Sequence, residues 1–232
     1  MRIDKFLANM GVGTRTEVKN LLKKGLVTLN DEKIKSAKLQ MNPEQDRVCV
    51  GGQQIDYEPY VYLMLNKPAG VISATEDDVH QTVIDLIEEY DHLDLFPVGR
   101  LDKDTEGLLL ITNDGDFNHR IMSPHKYVTK RYYAELAHPV REDAVETFEQ
   151  GIRLTEGLLQ PAQLEILVPN NHARVTICEG KYHQVKRMFH AVDNEVVYLK
   201  RDAIGPLELD HRLKTGEYRK LTNSEINLFK NH

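Results

Sequence analysis

Three acidic side chains, Asp102, Asp104 and Glu106, alternate just before an apolar segment in the middle of the chain. Carboxylates at alternate positions resemble the start of a calcium loop. The rest of that pattern is absent, because Asn113 stands at the closing glutamate position and residues 108–111 are apolar. What remains is a polar loop leading into a core strand. A carboxylate there either caps a turn or, when a cation keeps it ionised in a desolvated site, acts as a nucleophile.

A second candidate segment follows Gly180, where the sequence predicts a helix with an apolar stripe that begins at Val185. Four side chains share the opposite face of this predicted helix: His183, Lys186, Arg187 and His190. Cations near a helix N-terminus oppose the helix dipole, so a phosphate or a nearby carboxylate is expected beside them. A solvated helix face would explain the same composition.

The sequence contains no recognised metal-binding or disulfide pattern. Neither His-Glu-x-x-His nor paired Cys-x-x-Cys motifs occur among the ten histidines and two cysteines, so no metal is expected. Cys49 and Cys178 alone do not form a disulfide framework, which fits a reducing compartment. The N-terminus lacks the apolar core of a signal peptide, and no run is long enough for a membrane span. These features predict a cytoplasmic protein without a membrane partner.

The formal net charge of −6 argues against a nucleic-acid partner, but the charges are unevenly distributed. Residues 1–50 carry ten basic and six acidic side chains, and residues 181–201 carry five and two. Residues 73–106 carry two basic and eleven acidic side chains. Basic segments near both ends of the chain therefore permit RNA binding, although each is also compatible with an ordinary solvated surface.

The first part of the chain is predicted to form a small helical and hairpin unit. Apolar residues recur at helical spacing from the start: Ile3, Phe6, Leu7 and Met10. Thr14 and Glu17 form a capping box for a second helix that Gly25 ends, and residues 26–34 read as a hairpin. Three basic side chains fall at four-residue steps on one face of that helix: Arg15, Lys19 and Lys23. Glycines and prolines in residues 42–59 indicate a boundary, which gives domains over 1–59 and 60–232.

The second domain mixes strands and helices without regular alternation. Apolar and alternating segments predict strands at residues 61–65, 108–112, 128–136 and 174–177. Helices are predicted at residues 144–150 and after Gly180. This order predicts an α+β fold, with a mixed, largely antiparallel sheet flanked by helices.

Four separated motifs together resemble the RNA pseudouridine synthase family. They are Gly99-Arg100-Leu101-Asp102 with Asp104, Gly107-Leu108 and Leu110; Met64-Leu65-Asn66-Lys67-Pro68 with Gly70; Lys130-x-Tyr132; and Glu179-Gly180-x-Tyr182-His183-Gln184-Val185-Lys186-Arg187-Met188-Phe189. Residues 1–59 resemble the small S4-type (alpha-L) RNA-binding module that precedes the catalytic domain in one branch. The resemblance covers nearly the whole chain in the expected order, which makes it more specific than any single motif.

This resemblance implies roles for individual residues. Asp102 matches the essential catalytic aspartate, which attacks the ribose or the base or removes a ribose proton. Arg100 matches an arginine that enters the RNA near the target. Tyr132 matches the tyrosine that stacks on the flipped uridine, although its strand position also suits a core tyrosine. Lys186 matches the basic residue that pairs with the aspartate, with Arg187 as the alternative.

The resemblance also implies the overall function, which is isomerisation of a ribosomal RNA uridine to pseudouridine without a cofactor. The residues expected to contact RNA are Arg100, Arg15, Lys19, Lys23, Lys181, His183 and Arg187. Small-subunit rRNA, free or in an assembly intermediate, is the expected partner of a monomeric enzyme involved in ribosome biogenesis. Large-subunit rRNA is the alternative substrate, but relatives of that kind usually have asparagine and arginine at the positions of Tyr182 and His183. A non-catalytic rRNA-binding assembly factor, in which Asp102 caps a turn, is the other alternative.

Overall fold

The computed structural model describes residues 1–230, apart from the side chain of His125. The chain divides into two compact units. The N-terminal unit comprises Met1–Val61 together with Glu88–Leu95. The C-terminal unit comprises Tyr62–Ile87 and the chain from Phe96 onward. No helix in residues 1–230 is both long enough and apolar enough to cross a membrane.

The N-terminal unit contains two helices and a four-stranded antiparallel sheet in the order β2-β1-β3-β4. Its elements are α1 (Ile3–Asn9), α2 (Arg15–Lys23), β1 (Val27–Leu29), β2 (Glu32–Lys33), β3 (Val48–Val50) and β4 (Gln53–Ile55). The predicted capping box is confirmed, because the Thr14 side chain accepts a hydrogen bond from Glu17 N and the Glu17 carboxylate accepts one from Thr14 N. Apolar residues of both helices and of β1 and β3 form one core cluster.

The hairpin of this unit turns at Asn30 and Asp31, whose φ angles of 50° and 72° are left-handed. Asparagine and aspartate both tolerate that conformation. The predicted hairpin is confirmed, because β1 and β2 pair as antiparallel strands on either side of this turn. The sequence does not predict β3 and β4, which lie in the segment interpreted as a boundary. Gln53 and Gln54 of β4 are polar and exposed. The strand therefore lacks the alternation of apolar and polar residues by which a half-buried strand is recognised in a sequence.

The C-terminal unit contains a nine-stranded sheet and four helices among its described residues. Its elements are β5 (Tyr62–Lys67), β6 (Phe96–Val98), β7 (Glu106–Thr112), α3 (Gly115–Met122), β8 (Lys130–Leu136), α4 (Asp143–Gln150), β9 (Arg153–Leu154), β10 (Gly157–Leu158), β11 (Gln163–Ile166), β12 (His172–Ile177), α5 (Gln184–His190), β13 (Val196–Ile204), β14 (Leu207–Glu208), β15 (Tyr218–Lys220) and α6 (Asn223–Asn227). Short 3-10 turns lie at Ile84–Leu86 and Pro124–Lys126, with a third, Glu88–Tyr90, in the N-terminal unit.

The large sheet has the order β11-β12-β8-β13-β7-β5-β15, with β14 beside β13 and β6 beside β7. Strands β13 and β7 pair in parallel, and every other strand pair described is antiparallel. The predicted α+β class with a mixed, largely antiparallel sheet is therefore confirmed. A separate two-stranded hairpin is formed by β9 and β10.

Two apolar clusters hold this unit together. Helices α4 and α5 pack on β8, β11 and β12 through residues that include Phe148, Met188 and Phe189, all of them fully buried. The predicted apolar stripe of α5 is thus confirmed. Helix α3 packs on β5, β6 and β7 through Phe117 and Ile121. The two clusters fix the ends of β7 and α5, which carry the candidate site.

Candidate active site

Asp102 lies in the loop between β6 and β7, and the backbone on both sides of it is held by hydrogen bonds. The Ser73 hydroxyl donates to Leu101 O at 2.9 Å and accepts from Leu101 N at 3.0 Å. Thr105 N donates to Asp102 O at 3.1 Å. Because these bonds satisfy main-chain groups that would otherwise be buried without partners, the loop has a defined geometry.

The Lys67 ammonium ties this loop to the end of β5. Its side chain is fully buried, and Nζ donates to Thr105 O and Pro68 O at 2.9 Å and to Lys103 O at 3.3 Å. Burial lowers the pKa of Lys67 from 10.5 to about 8, against the opposing influence of nearby carboxylates, of which Asp104 contributes most. The sequence predicts that β5 stops before Asn66, which is wrong. The strand continues to Lys67 because both polar side chains find partners inside the unit.

Gly107 allows β7 to begin directly against β13. Its φ is +101°, and a Cβ at this position would lie 2.2 Å from Arg201 O. Any other residue would therefore combine backbone strain with a clash against main chain. The parallel pairing of Gly107 with Arg201 sets the distance between the Asp102 loop and β13.

The Asp102 carboxylate faces two basic side chains of the α5 region. Lys186 Nζ lies 3.2 Å from Asp102 Oδ2 and 2.6 Å from Asp104 Oδ1, and His183 Nε2 lies 3.6 Å from Asp102 Oδ1. Although burial lowers the pKa of Lys186, its hydrogen bonds to Asp104 and Asp102 raise it on balance. Lys186 is therefore an ammonium at neutral pH and places a positive charge beside the Asp102 carboxylate.

These side chains surround a pocket of about 70 Å³. Six of the residues predicted from the sequence line it: Arg100, Asp102, Tyr132, Lys181, His183 and Lys186. Asp102 is the only acidic side chain in the wall of this pocket, which is lined entirely by described residues. A half-buried carboxylate between two basic groups, in a rigid loop, can serve as a nucleophile or as a base.

Tyr132 lies in β8 between β12 and β13, opposite Val175 and Arg201. Its ring packs against the apolar cluster beneath α4 and α5 while also lining the pocket. The Arg201 guanidinium carbon is 6.0 Å from the centre of the ring. The sequence allows Tyr132 to be either a core side chain or part of the active site. In the structure it is both, because its partly buried ring also lines the pocket.

Arg187 does not reach Asp102, since its guanidinium pairs with both carboxylate oxygens of Glu156 in the β9–β10 hairpin. That contact lowers the pKa of Glu156 to about 2. Of the two cations proposed as partners of the aspartate, the structure brings Lys186 to it. His183 precedes α5 in a left-handed conformation, and its ring stacks on the exposed Tyr182 ring at 3.8 Å.

The remaining predicted RNA contacts belong to the N-terminal unit. Three basic side chains are exposed along α2, beside the buried Val18 and Leu22: Arg15, Lys19 and Lys23. The three basic side chains of α2 are therefore accessible to solvent, as the predicted RNA contact requires.

The sequence does not assign a role to several residues that the structure places near the pocket. Lys67 and Lys130 appear only within the family motifs, and Ser73, Glu156 and Arg201 belong to none of them. A lysine inside an apolar strand was the available signal for Lys67. No local pattern marks the other contacts, because each joins segments that are distant in sequence. Within residues 1–230, no group of three or more His, Cys, Asp or Glu side chains could hold a metal ion.

Known proteins resemble this chain along nearly its whole length. It is 47% identical to an uncharacterized RNA pseudouridine synthase of Bacillus subtilis, YtzG, over 98% of each chain. It is 42% identical to ribosomal small subunit pseudouridine synthase A of Escherichia coli K12, over 97% of this chain and 98% of the relative. A crystal structure of a pseudouridylate synthase superposes with a TM-score of 0.69 at 39% identity, covering 98% of both chains.

Two family models match separate parts of the chain. Residues 61–191 match the RNA pseudouridylate synthase family, and residues 1–48 match the S4 domain. The matched residues of the first model include the Asp102 loop, Tyr132 and α5. The chain therefore belongs to the RNA pseudouridylate synthase family, as an enzyme with an S4 domain at its N-terminus.

Proposed function

We propose that this enzyme converts a uridine of small-subunit (16S) rRNA to pseudouridine, with Asp102 as its essential catalytic residue. The observation that carries the proposal is the pocket in which Asp102 is the only carboxylate among the lining residues. Its position 3.2 Å from the Lys186 ammonium, which can stabilise a negative charge there, supports a role in the reaction.

The proposed reaction is an isomerisation. The bond between ribose C1′ and uracil N1 breaks, the base rotates, and a new bond joins C1′ to C5. The hydrogen leaves C5, and N1 gains one, so the atoms balance within the nucleotide. No cofactor or metal is therefore expected, and Asp102 supplies the carboxylate that the exchange requires.

Further roles follow from the positions of the pocket residues. Tyr132 stacks on the flipped uracil, and the exposed Arg100 occupies the space that the uridine leaves in the RNA. Lys181 and His183 contact the RNA at the rim, and Arg187 orders that rim by holding Glu156. Base flipping costs a few kcal/mol, while stacking on an aromatic ring contributes about 1–3 kcal/mol. Contacts to the RNA backbone must supply the difference.

The small-subunit assignment rests on the relatives named for that substrate, which are 42% and 44% identical in Escherichia coli and Vibrio cholerae. The exposed Tyr182 beside His183 supports it further, because the large-subunit branch usually has asparagine and arginine there. The basic face of α2 holds RNA backbone in this proposal. The enzyme acts as a cytoplasmic monomer on rRNA or on an assembly intermediate.

Mapping of pseudouridines in rRNA from cells with and without this protein tests the substrate. The expected result is one missing pseudouridine in small-subunit rRNA, restored by the wild-type gene. Loss of a site in large-subunit rRNA instead would contradict the assignment.

A further inference from the structure

A second, larger cavity opens beside the Asp102 pocket. It has a volume of about 440 Å³ and shares Arg100, Tyr132 and Gly180 with the pocket wall. Two further cations line it, Lys130 from β8 and Arg201 from β13. Both are almost completely removed from solvent, at 7% and 4% exposure.

Lys130 has no neutralising partner. Among the residues that the structure describes, none forms a hydrogen bond or ion pair with its ammonium group. Burial lowers the pKa of Lys130, and the Arg201 cation lowers it further, while Cys178 acts in the opposite direction. Buried charges are normally paired, so a buried lysine that lines a cavity without an acidic partner is suited to binding an anion.

Arg201 is only partly satisfied by the protein. Its Nε donates to Leu108 O at 2.8 Å, but its buried Nη2 has no hydrogen-bond partner. A guanidinium presents five donors, and leaving buried donors unused is unfavourable. Two adjacent buried cations with unused donors are therefore arranged for a ligand that accepts hydrogen bonds and carries negative charge.

The one acidic side chain among the residues lining the cavity, Glu179, does not serve as that anion. Its carboxylate accepts hydrogen bonds from Gln160 N at 2.9 Å and Gln184 Nε2 at 3.1 Å, and Lys181 Nζ lies 3.8 Å away. These contacts direct Glu179 toward the start of α5. They leave the charges of Lys130 and Arg201 uncompensated.

We propose that this cavity binds a phosphodiester group of the RNA backbone next to the target uridine, between Lys130 and Arg201. The identity of the ligand rests on the proposed function, because the cavity and the Asp102 pocket share the Tyr132 wall. A phosphodiester offers acceptor oxygens and one negative charge, which match the unused donors and the positive pair. A nucleobase edge is neutral and would leave the two cations uncompensated.

The anion site is tested by thermal unfolding of the full chain in sodium phosphate against sodium chloride of equal ionic strength. The wild type is expected to gain about 4 °C at ten times the dissociation constant for inorganic phosphate. Lys130→Met should lose this gain, and Lys130→Arg, which keeps the charge, should retain it. Lys214→Met, at an exposed position of the same unit, is the matched control and should respond like the wild type. An equal gain in Lys130→Met would overturn the proposal.

The RNA ligand is tested by measuring how binding of a short uridine-containing single strand depends on salt. Loss of one phosphate contact lowers the slope of log K against log salt by about 0.7. Lys130→Met is expected to show that decrease, and Lys214→Met is expected to keep the wild-type slope. If free phosphate responds to Lys130→Met but the RNA slope does not, RNA phosphodiester is not the ligand and the proposal fails. Neither readout requires turnover, so failure of the phosphate site is distinguishable from failure of the proposed reaction.

Discussion

At the scale of single residues, the site depends on which cation of α5 reaches Asp102. The sequence supplies two adjacent candidates, Lys186 and Arg187, and spacing alone does not separate them. The structure separates them because Glu156 in the β9–β10 hairpin holds the Arg187 guanidinium. Lys186 then contacts Asp102 and Asp104 together.

Lys186→Met is expected to lower pseudouridine formation by about 10- to 100-fold. A hydrogen bond to a charged group contributes about 1.5–3 kcal/mol, and each 1.36 kcal/mol corresponds to a factor of ten in rate. Lys186→Arg keeps the charge and should recover part of the rate in a single-turnover assay with rRNA. Arg187→Met should have the smaller effect on the chemical step. A larger loss in Arg187→Met than in Lys186→Met would contradict this assignment.

At the scale of elements, the loop after β6 is positioned by a lysine at the end of β5. Lys67 donates to two main-chain oxygens of the loop, Lys103 O and Thr105 O, and to Pro68 O beside its own strand, which a flexible surface lysine could not do. Burial of Lys67 makes the free energy of unfolding depend on pH. Between its folded pKa of about 8 and its ordinary value of 10.5, the unfolded chain binds more protons than the folded chain.

The free energy of unfolding should therefore contain a term from Lys67 that rises as the pH increases from 8 to 10.5. The full term is about 3 kcal/mol, because each pKa unit corresponds to about 1.4 kcal/mol. Urea unfolding of the wild type and Lys67→Met at pH 7.5 and pH 10 measures most of this term by difference, because pH 10 lies below the upper value of 10.5. The wild type should gain stability relative to the variant over this range. Lys103→Met, at an exposed lysine of the loop, is the control, and parallel pH profiles for wild type and Lys67→Met would refute the argument.

The elements show why part of the fold follows from sequence. Residues 108–111 form a continuous apolar run that only burial explains, and the Thr14–Glu17 capping box marks the start of a helix. Strand β4 is not predictable in the same way, because its glutamines are exposed. In the sequence, Lys67 looks like a residue beyond the end of β5, because its three carbonyl partners are evident only in the structure. Long-range contacts such as Ser73 with Leu101 leave no local pattern. The sequence therefore indicates Asp102 as a candidate, while the side chains around it come together only in the folded chain.

At the scale of the whole molecule, a chain with net charge −6 can bind RNA only where basic side chains are concentrated on its surface. We propose two such surfaces, the exposed face of α2 in the S4 domain and the cations around the Asp102 pocket. The acidic side chains of residues 73–106 outnumber the basic ones, which keeps the average charge negative. The distribution of charge over the surface, and not the net charge, determines where RNA can bind.

Removal of the α2 face should weaken RNA binding in a salt-dependent way. Replacing Arg15, Lys19 and Lys23 together by glutamine is expected to reduce the slope of log K against log salt by about 2, from three lost contacts with single-stranded RNA. Fluorescence polarisation with labelled rRNA fragments at several salt concentrations measures this slope. The matched control replaces three exposed lysines of the same unit, Lys33, Lys35 and Lys38. An equal reduction in the control would show that α2 has no special role.

We propose above all that uridine isomerisation requires the Asp102 carboxylate. The most direct test of this proposal is pseudouridine formation on small-subunit rRNA by purified wild type, Asp102→Asn and Asp104→Asn, with RNA binding measured in parallel. Asp102→Asn is expected to fold and bind RNA but form no pseudouridine. Asp104→Asn carries the same chemical change in the same loop but leaves Asp102 beside Lys186, and should still form product. Wild-type activity in Asp102→Asn would contradict the account.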